Sequence, residues 1–225
     1  MGRGRKDSDR AIRVIDLFAG PGGLGEGFAS LGIAEGNRCF DLVLSVEKDD
    51  NAHRTLELRS FYRQFNYGSA PALYYEYLRG RPGLSREELL DRFPREAETA
   101  RRRCWLAELG ADRATDRELN RRVRAALGED GGEWVLIGGP PCQAYSLAGR
   151  SRMRPVRGER FDEDERHFLY REYLKIIARH RPAVFVMENV KGLLSATAKG
   201  VRIFERIRED LAHPELALSR RKRRR

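Results

Sequence analysis

Cys142 stands directly after Gly138-Gly-Pro-Pro141 and is followed by Gln143, Ala144, Tyr145 and Ser146. An isolated cysteine is usually a small buried hydrophobe. Here the Pro-Pro pair stiffens the turn and the residues after it are polar, so the sulfur is expected to face a cleft. A second group, Met187-Glu188-Asn189-Val190, offers a carboxyl and an amide. Alone it would read as a helix-entry turn. It gains meaning if its strand lies beside the one that leads to Cys142.

The third group is Asp16-Leu-Phe-Ala-Gly20-Pro-Gly22-Gly23-Leu-Gly25. Its glycines allow a sharp turn and close approach of the backbone to a ligand, and the segment after it offers free N–H groups. Gly20, Gly22 and Gly25 satisfy GxGxxG, and Glu47 lies about far enough on to hold ribose hydroxyls, as in a dinucleotide-binding fold. A purely structural glycine turn fits the same spacing.

These groups need elements to position them. Ile12 to Leu17, Asp41 to Val46, Trp134 to Ile137 and Ala183 to Met187 are short apolar runs that stop at polar or glycine residues, and they read as buried strands. Leu24 to Leu31 and Asp50 to Tyr62 read as helices. Leu169, Tyr173, Ile176 and Ile177 recur at helical spacing, with Glu172, Lys175 and Arg179 on the other face, which predicts an amphipathic crossover helix. Strands alternating with helices predict a doubly wound α/β fold whose mostly parallel sheet collects ligands at the carboxyl ends of its strands. Residues 57–132 break the alternation. Ser85 with Glu88 and Thr115 with Glu118 form capping-box patterns, so this stretch is expected to be a helical insertion.

Charged residues make up 35% of the 225 and hydrophobic ones 40%, a balance that fits a globular protein. No run approaches the roughly 18 apolar residues of a spanning helix, and MGRGRKDSDR lacks the apolar core of a secretion signal. A cytoplasmic location is expected. Cys39, Cys104 and Cys142 are too few and too irregular for a disulfide framework or a metal clip. His53, His167, His180 and His213 have no ligand spacing, so no metal is expected. The net charge of +10 points to an anionic partner, yet residues 220–225 hold +6 and the first thirteen hold +3, so residues 14–219 keep only +1. The expected division is a body over 12–213 between basic tails at 1–11 and 214–225.

DLFAGPGG, GGPPCQAYS and VFVMENVKG, in that order, resemble the first, fourth and sixth blocks of the bacterial DNA cytosine-5 methyltransferases. The resemblance implies an S-adenosylmethionine-dependent, Rossmann-like methyltransferase fold that modifies carbon 5 of cytosine in DNA. It implies that Phe18 stacks on the adenine of the cofactor and that Glu47 accepts from its ribose hydroxyls. Gly20, Gly22 and Gly23 would pack against the cofactor, and Asp16, Ala19, Leu24 and Pro140 would complete its site. Cys142 would be the nucleophile and Glu188 the acid at the target base, with Gln143 and Asn189 beside them. Ser146 opens the loop that in the family closes over DNA, and Arg150, Arg152 and Arg154 extend it with positive charge; for these arginines solvation is an equally good reading.

The chain departs from the family in having no later Gln-x-Arg-x-Arg block, no target-reading region and no recognisable third block. It is therefore expected to be the N-terminal, catalytic and cofactor-binding half of an enzyme, with the strand at 183–187 left as an open edge. A second polypeptide carrying the rest is one explanation. A catalytically inactive remnant that binds DNA or a partner is the alternative.

Overall fold

The computed structural model describes residues 11–32, 36, 38–129, 132–140, 169–189, 191–195, 197–198 and 201–222. A five-stranded sheet, parallel throughout, organises it: β1 (Ile12–Leu17), β2 (Phe40–Glu47), β3 (Cys104–Leu106), β4 (Trp134–Gly138) and β5 (Val184–Met187), in the order β3-β2-β1-β4-β5. The doubly wound α/β expectation is borne out. Strand order runs outward from β1 in one direction through β2 and β3, and in the other through β4 and β5. In such sheets the crevice at the reversal, outside the carboxyl ends of β1 and β4, is where ligands bind.

Alternate residues of the strands feed two apolar layers, as the period of two requires. Val14, Leu42, Val135 and Ile137 pack with α1 (Gly23–Ala29). Ile15, Leu17, Leu44, Val46 and Leu136 pack on the other face with α6 (Arg113–Leu127) and α7 (Tyr170–His180). From α7, the buried phenol of Tyr173 donates to the main-chain oxygens of Leu136, at 3.0 Å, and Val186, at 2.8 Å. One hydroxyl therefore ties β4 to β5.

Between β2 and β4 lie α2 (Asp50–Tyr62), α3 (Ala72–Leu78), α4 (Arg86–Asp91) and α5 (Pro94–Arg103), which share an aromatic cluster centred on Phe61, Tyr74, Leu89 and Leu90. Ser85 and Glu88 form the expected capping box. Two expectations need correcting. The stretch 57–132 is not wholly helical: β3 joins the main sheet, and α6 is the crossover that returns the chain to β4. Its cap is Asp112, whose side chain accepts from the Thr115 N–H at 2.6 Å, while Glu118 pairs with Arg121 and Arg122. An ionised carboxylate is the stronger acceptor at a helix start, so Asp112 takes the role read for Thr115.

After β5 come α8 (Gly192–Ser195), the short antiparallel pair β6 (Thr197–Ala198) and β7 (Val201–Arg202), α9 (Ile203–Ala212) and α10 (Pro214–Lys222). The basic tail expected from 214 is helical as far as Lys222. Ala217 of α10 is buried against α7, and Arg171 donates to its carbonyl at 3.1 Å. No described helix is long and apolar enough to cross a membrane.

Replacing Tyr173 by Phe strips one donor from two buried carbonyls without changing the ring. Equilibrium urea unfolding is expected to show a loss of about 1–3 kcal/mol.

Candidate active site

At the end of β1 the chain turns so sharply that Phe18 adopts φ 58° and Gly20 φ 56°. For a bulky side chain this is strained backbone, which persists only where the surroundings hold it. Two hydrogen bonds hold it here: the Ala19 N–H donates to the Val46 carbonyl at 3.0 Å, and the Gly20 N–H donates to the Glu47 carboxylate at 2.7 Å. The second Glu47 oxygen accepts from the Asp49 N–H at 2.8 Å, and Asp49 in turn caps α2 through Ala52. Glu47 thus fixes the glycine loop and the start of α2 relative to one another.

The glycines of this loop differ in what they do. A side-chain carbon at Gly20 or Gly23 would meet nothing within 4 Å, so both leave open space. At Gly22 it would press on Leu56 at 2.8 Å, and at Gly25 on Leu42 at 2.5 Å and Asp16 at 3.0 Å. Gly22 and Gly25 are needed for packing inside the protein.

Phe18 and Glu47 line one cavity of about 320 Å³ with Val46, Lys48, Asp49, Ala107, Glu108, Leu109, Gly139 and Leu169. It opens at the carboxyl ends of β1, β2, β3 and β4. Three carboxylates face one ammonium on its walls, and that ammonium, Lys48, is paired with Glu108 at 3.1 Å. Such a wall favours a neutral or cationic ligand over a pyrophosphate.

Across the cavity, the Gly138↔Met187 pairing sets the ends of β4 and β5 side by side. A side-chain carbon at Gly139 would stand 3.0 Å from a Glu188 carboxylate oxygen, and Asn189 donates to the Pro140 carbonyl at 3.4 Å. Glu188 and Asn189 are therefore brought against the Gly139-Pro140 turn, two residues short of Cys142. Cys142, Gln143, Ser146, Arg150, Arg152 and Arg154 lie outside the described residues.

Of the nine residues read for the cofactor, Phe18 and Glu47 are among those lining the cavity, and Asp16 and Leu24 lie in the packed interior. Leu24 is half-buried against the apolar layer under α1. Asp16 is 1% exposed, and neither of its carboxylate oxygens has a hydrogen-bond partner among the described residues. Burial pushes its carboxyl up to about 7, Arg63 opposes this, and Glu47 adds to it. Arg63, itself 7% exposed, is paired with Glu26 of α1. Sequence reasoning missed Lys48, Asp49, Ala107, Glu108 and Leu109. The last three follow β3, a strand of three residues with no recognisable signature; Lys48 and Asp49 adjoin Glu47 and could have been found by extending that strand end.

The fold is that of a Rossmann-like α/β protein. Residues 133–214 match the sequence profile of the family described as C-5 cytosine-specific DNA methylase. The type II methyltransferase M.Bpa9945I of Bacillus paralicheniformis is 34% identical over 208 residues, covering 87% of this chain and 44% of that protein. The DNA-cytosine methyltransferase of Escherichia coli is 30% identical over 186 residues, covering 82% of this chain and 31% of that protein. The type II methyltransferase M.AquIA of a Picosynechococcus strain is 26% identical over 183 residues, covering 81% and 50%. The chain is thus similar to C-5 cytosine-specific DNA methylases over most of its length, and it spans about half or less of the length of these relatives.

The raised Asp16 carboxyl has a consequence for stability. An unfolded aspartate loses its proton near pH 4, whereas the folded one keeps it to about 7. The contribution is thus complete below about pH 4 and is lost as pH rises through 7. A rise of that size corresponds to roughly 4 kcal/mol. Asp16→Asn should remove this dependence: in urea unfolding at pH 5 and pH 8, the variant gains on the parent as pH rises.

Proposed function

We propose that this chain is the cofactor-binding and catalytic half of a DNA cytosine-5 methyltransferase that uses S-adenosylmethionine. One observation carries the reading: Phe18 and Glu47 from the first block line the same cavity as Gly139 from the fourth, and Glu188 from the sixth lies against Gly139. The residues fit the cofactor. Phe18 gives an aromatic wall for adenine, Glu47 gives an acceptor for ribose hydroxyls, and the open space at Gly20 and Gly23 gives room for the rest. The acidic walls suit a sulfonium and an ammonium better than the phosphates of NAD. When bound, S-adenosylmethionine supplies an electrophilic methyl group for carbon 5 of cytosine.

The chain's own residues make that carbon reactive. Cytosine carbon 5 is a weak nucleophile until something adds to the neighbouring carbon 6. The Cys142 thiolate makes that bond. Glu188 holds a proton at ring nitrogen 3 and so accommodates the electron pair that addition pushes into the ring. Asn189 anchors the segment bearing Glu188 to Pro140, and Gln143 flanks the nucleophile. Departure of Cys142 after loss of the carbon 5 proton restores the aromatic ring. A base inside a duplex cannot reach the sulfur, so the target cytosine has to be flipped out of the stack.

DNA is the macromolecular substrate in this reading, with Ser146, Arg150 and Arg152 on the side that meets it. The relatives' additional length leaves room for a region that reads the target sequence. A reaction on DNA fits the cytoplasmic location expected from the sequence.

Calorimetric titration of the chain should give tighter binding of S-adenosylmethionine than of NAD; the reverse order would sink the cofactor assignment. In a complemented enzyme, Cys142→Ser should abolish methyl transfer to DNA while leaving cofactor affinity unchanged. A variant that still methylated at the parent rate would remove Cys142 from its role. Deleting residues 220–225, which carry +6, should weaken DNA binding uniformly across sequences. The same deletion should make its salt dependence shallower by roughly 0.9 logarithmic units for each phosphate that the tail no longer neutralises.

A further inference from the structure

We propose that α10 is a fixed arm that holds the basic run beginning at Arg220 against the sugar-phosphate backbone of DNA, on the α7 side of the cavity mouth. This rests on the function proposed above and names how its DNA is held.

A run of six cations at 220–225 reads as a free, solvated tail, because like charges repel along a helix. Here the helix continues to Lys222, so Arg220, Arg221 and Lys222 form its last turn, where the helix dipole favours cations. Packing supplies the rest. Ala217 is buried among Tyr170, Leu174, Leu193, Ile203 and Ile207, and Leu218 packs against the same cluster. Residues 219–225 include no acid, so nothing within the arm offsets its charge.

Two polar contacts set the direction of the arm. Arg181, just past the end of α7, donates to Glu215 near the start of α10 at 3.4 Å, and Arg171, in the first turn of α7, donates to the Ala217 carbonyl at 3.1 Å. Arg171 and Arg181 are about 15 Å apart along α7. α10 therefore runs antiparallel to α7, and its last residue lies about 7.5 Å beyond Ala217 in the direction of Tyr170. That end of α7 borders the cavity, which Leu169 lines.

The arm thus points to the face where DNA has to arrive. Glu188 and Asn189 lie against the Gly139-Pro140 turn that leads to Cys142, so a target cytosine is presented at the carboxyl ends of the strands. The cavity itself offers phosphates only Lys48, which Glu108 already pairs. Residues 2–6 also hold +3, but they precede β1, whose first residue, Ile12, is at the end of the sheet opposite the cavity. Of the two terminal segments, only the one on α10 is carried toward the mouth by a described element.

The test measures binding of the full chain to a labelled duplex of about 20 base pairs at about 0.1 M salt by fluorescence anisotropy. Changing Arg220, Arg221 and Lys222 together to Gln removes +3 and should weaken binding roughly tenfold or more, whereas deleting residues 2–6, also +3, should weaken it less than about twofold. Two further variants keep every charge. Leu218→Gly with Ser219→Gly cuts the run from its anchor, and Ser219→Pro breaks the helix at the same place while leaving Leu218 packed. Each should weaken binding roughly fivefold or more, because the freed segment has to be ordered on the DNA. The proline variant keeps the test open if the glycine pair loosens the chain.

Equal losses from the two charge-matched changes would overturn the proposal, as would an affinity indifferent to both helix-breaking variants, since a free tail behaves that way. Absence of duplex binding by the parent chain would overturn it too. S-adenosylmethionine is titrated calorimetrically into the same preparations. Cofactor binding by a chain whose DNA affinity ignores Ser219→Pro sinks only this inference, and the expected DNA results without cofactor binding sink only the reading of the cavity.

Discussion

β1 and β4 approach so closely at their carboxyl ends that a side-chain carbon at Gly138 would stand 2.2 Å from the Leu17 carbonyl oxygen and 3.2 Å from the Tyr173 ring. No side chain fits there, and flexible relief is impossible because the first obstacle is backbone. The crevice depends on this close approach. It brings Phe18, one residue past Leu17, and Gly139, one residue past Gly138, to the same cavity, and it lets Tyr173 reach under β4 to bond both Leu136 and Val186. A glycine that resembles ligand-binding sequence thus acts first through packing. The glycine-rich block after β1 and the Gly139-Pro140 block after β4 meet because their strands can touch.

The same distinction explains how much could be read in advance. β1, β2, β4 and β5 were legible because each is an apolar run ended by glycine or an acid. β3 was not. Three residues, Cys104-Trp-Leu106, give no alternation to recognise, and they sit among arginine-rich helices. Their pairing with β2 is a tertiary fact, supported by packing such as Arg122 over the Trp105 ring at 4.9 Å. Missing β3 meant missing Glu108 and Leu109, which reach the cavity only because that strand delivers them. The helical end at 214–222 was hidden by its basic composition, which dominates the tail's average, while Ala217 provides the packing that anchors it.

Within the glycine-rich loop, spacing identified a turn but could not assign its glycines. Gly22 and Gly25 face Leu56, Leu42 and Asp16, residues brought together from separate elements, so their constraint appears only once β2 and α2 are in place. Asp16 shows how tight this region is. It is a buried carboxyl without a hydrogen bond among the described residues, held between Gly25, Arg63 and Glu47, and burial outweighs the nearby guanidinium in setting its proton affinity. Arg63, which is also paired with Glu26, offsets the burial only in part.

Charge is distributed against the obvious inference from composition. A protein at +10 suggests a basic face around its site, but the cavity is lined by Glu47, Asp49 and Glu108 against one lysine, and residues 14–219 together hold only +1. A polyanion is repelled by such a mouth, whereas a small cation is drawn to it. The two substrates of a methyl transfer to DNA therefore need different fields. The cavity at the ends of β1 to β3 supplies the acidic one. The basic one has to come from elements beyond it, such as the arginines after Cys142 and the chain termini. Separating two such fields keeps phosphates out of an acidic cavity while a basic segment holds a duplex nearby.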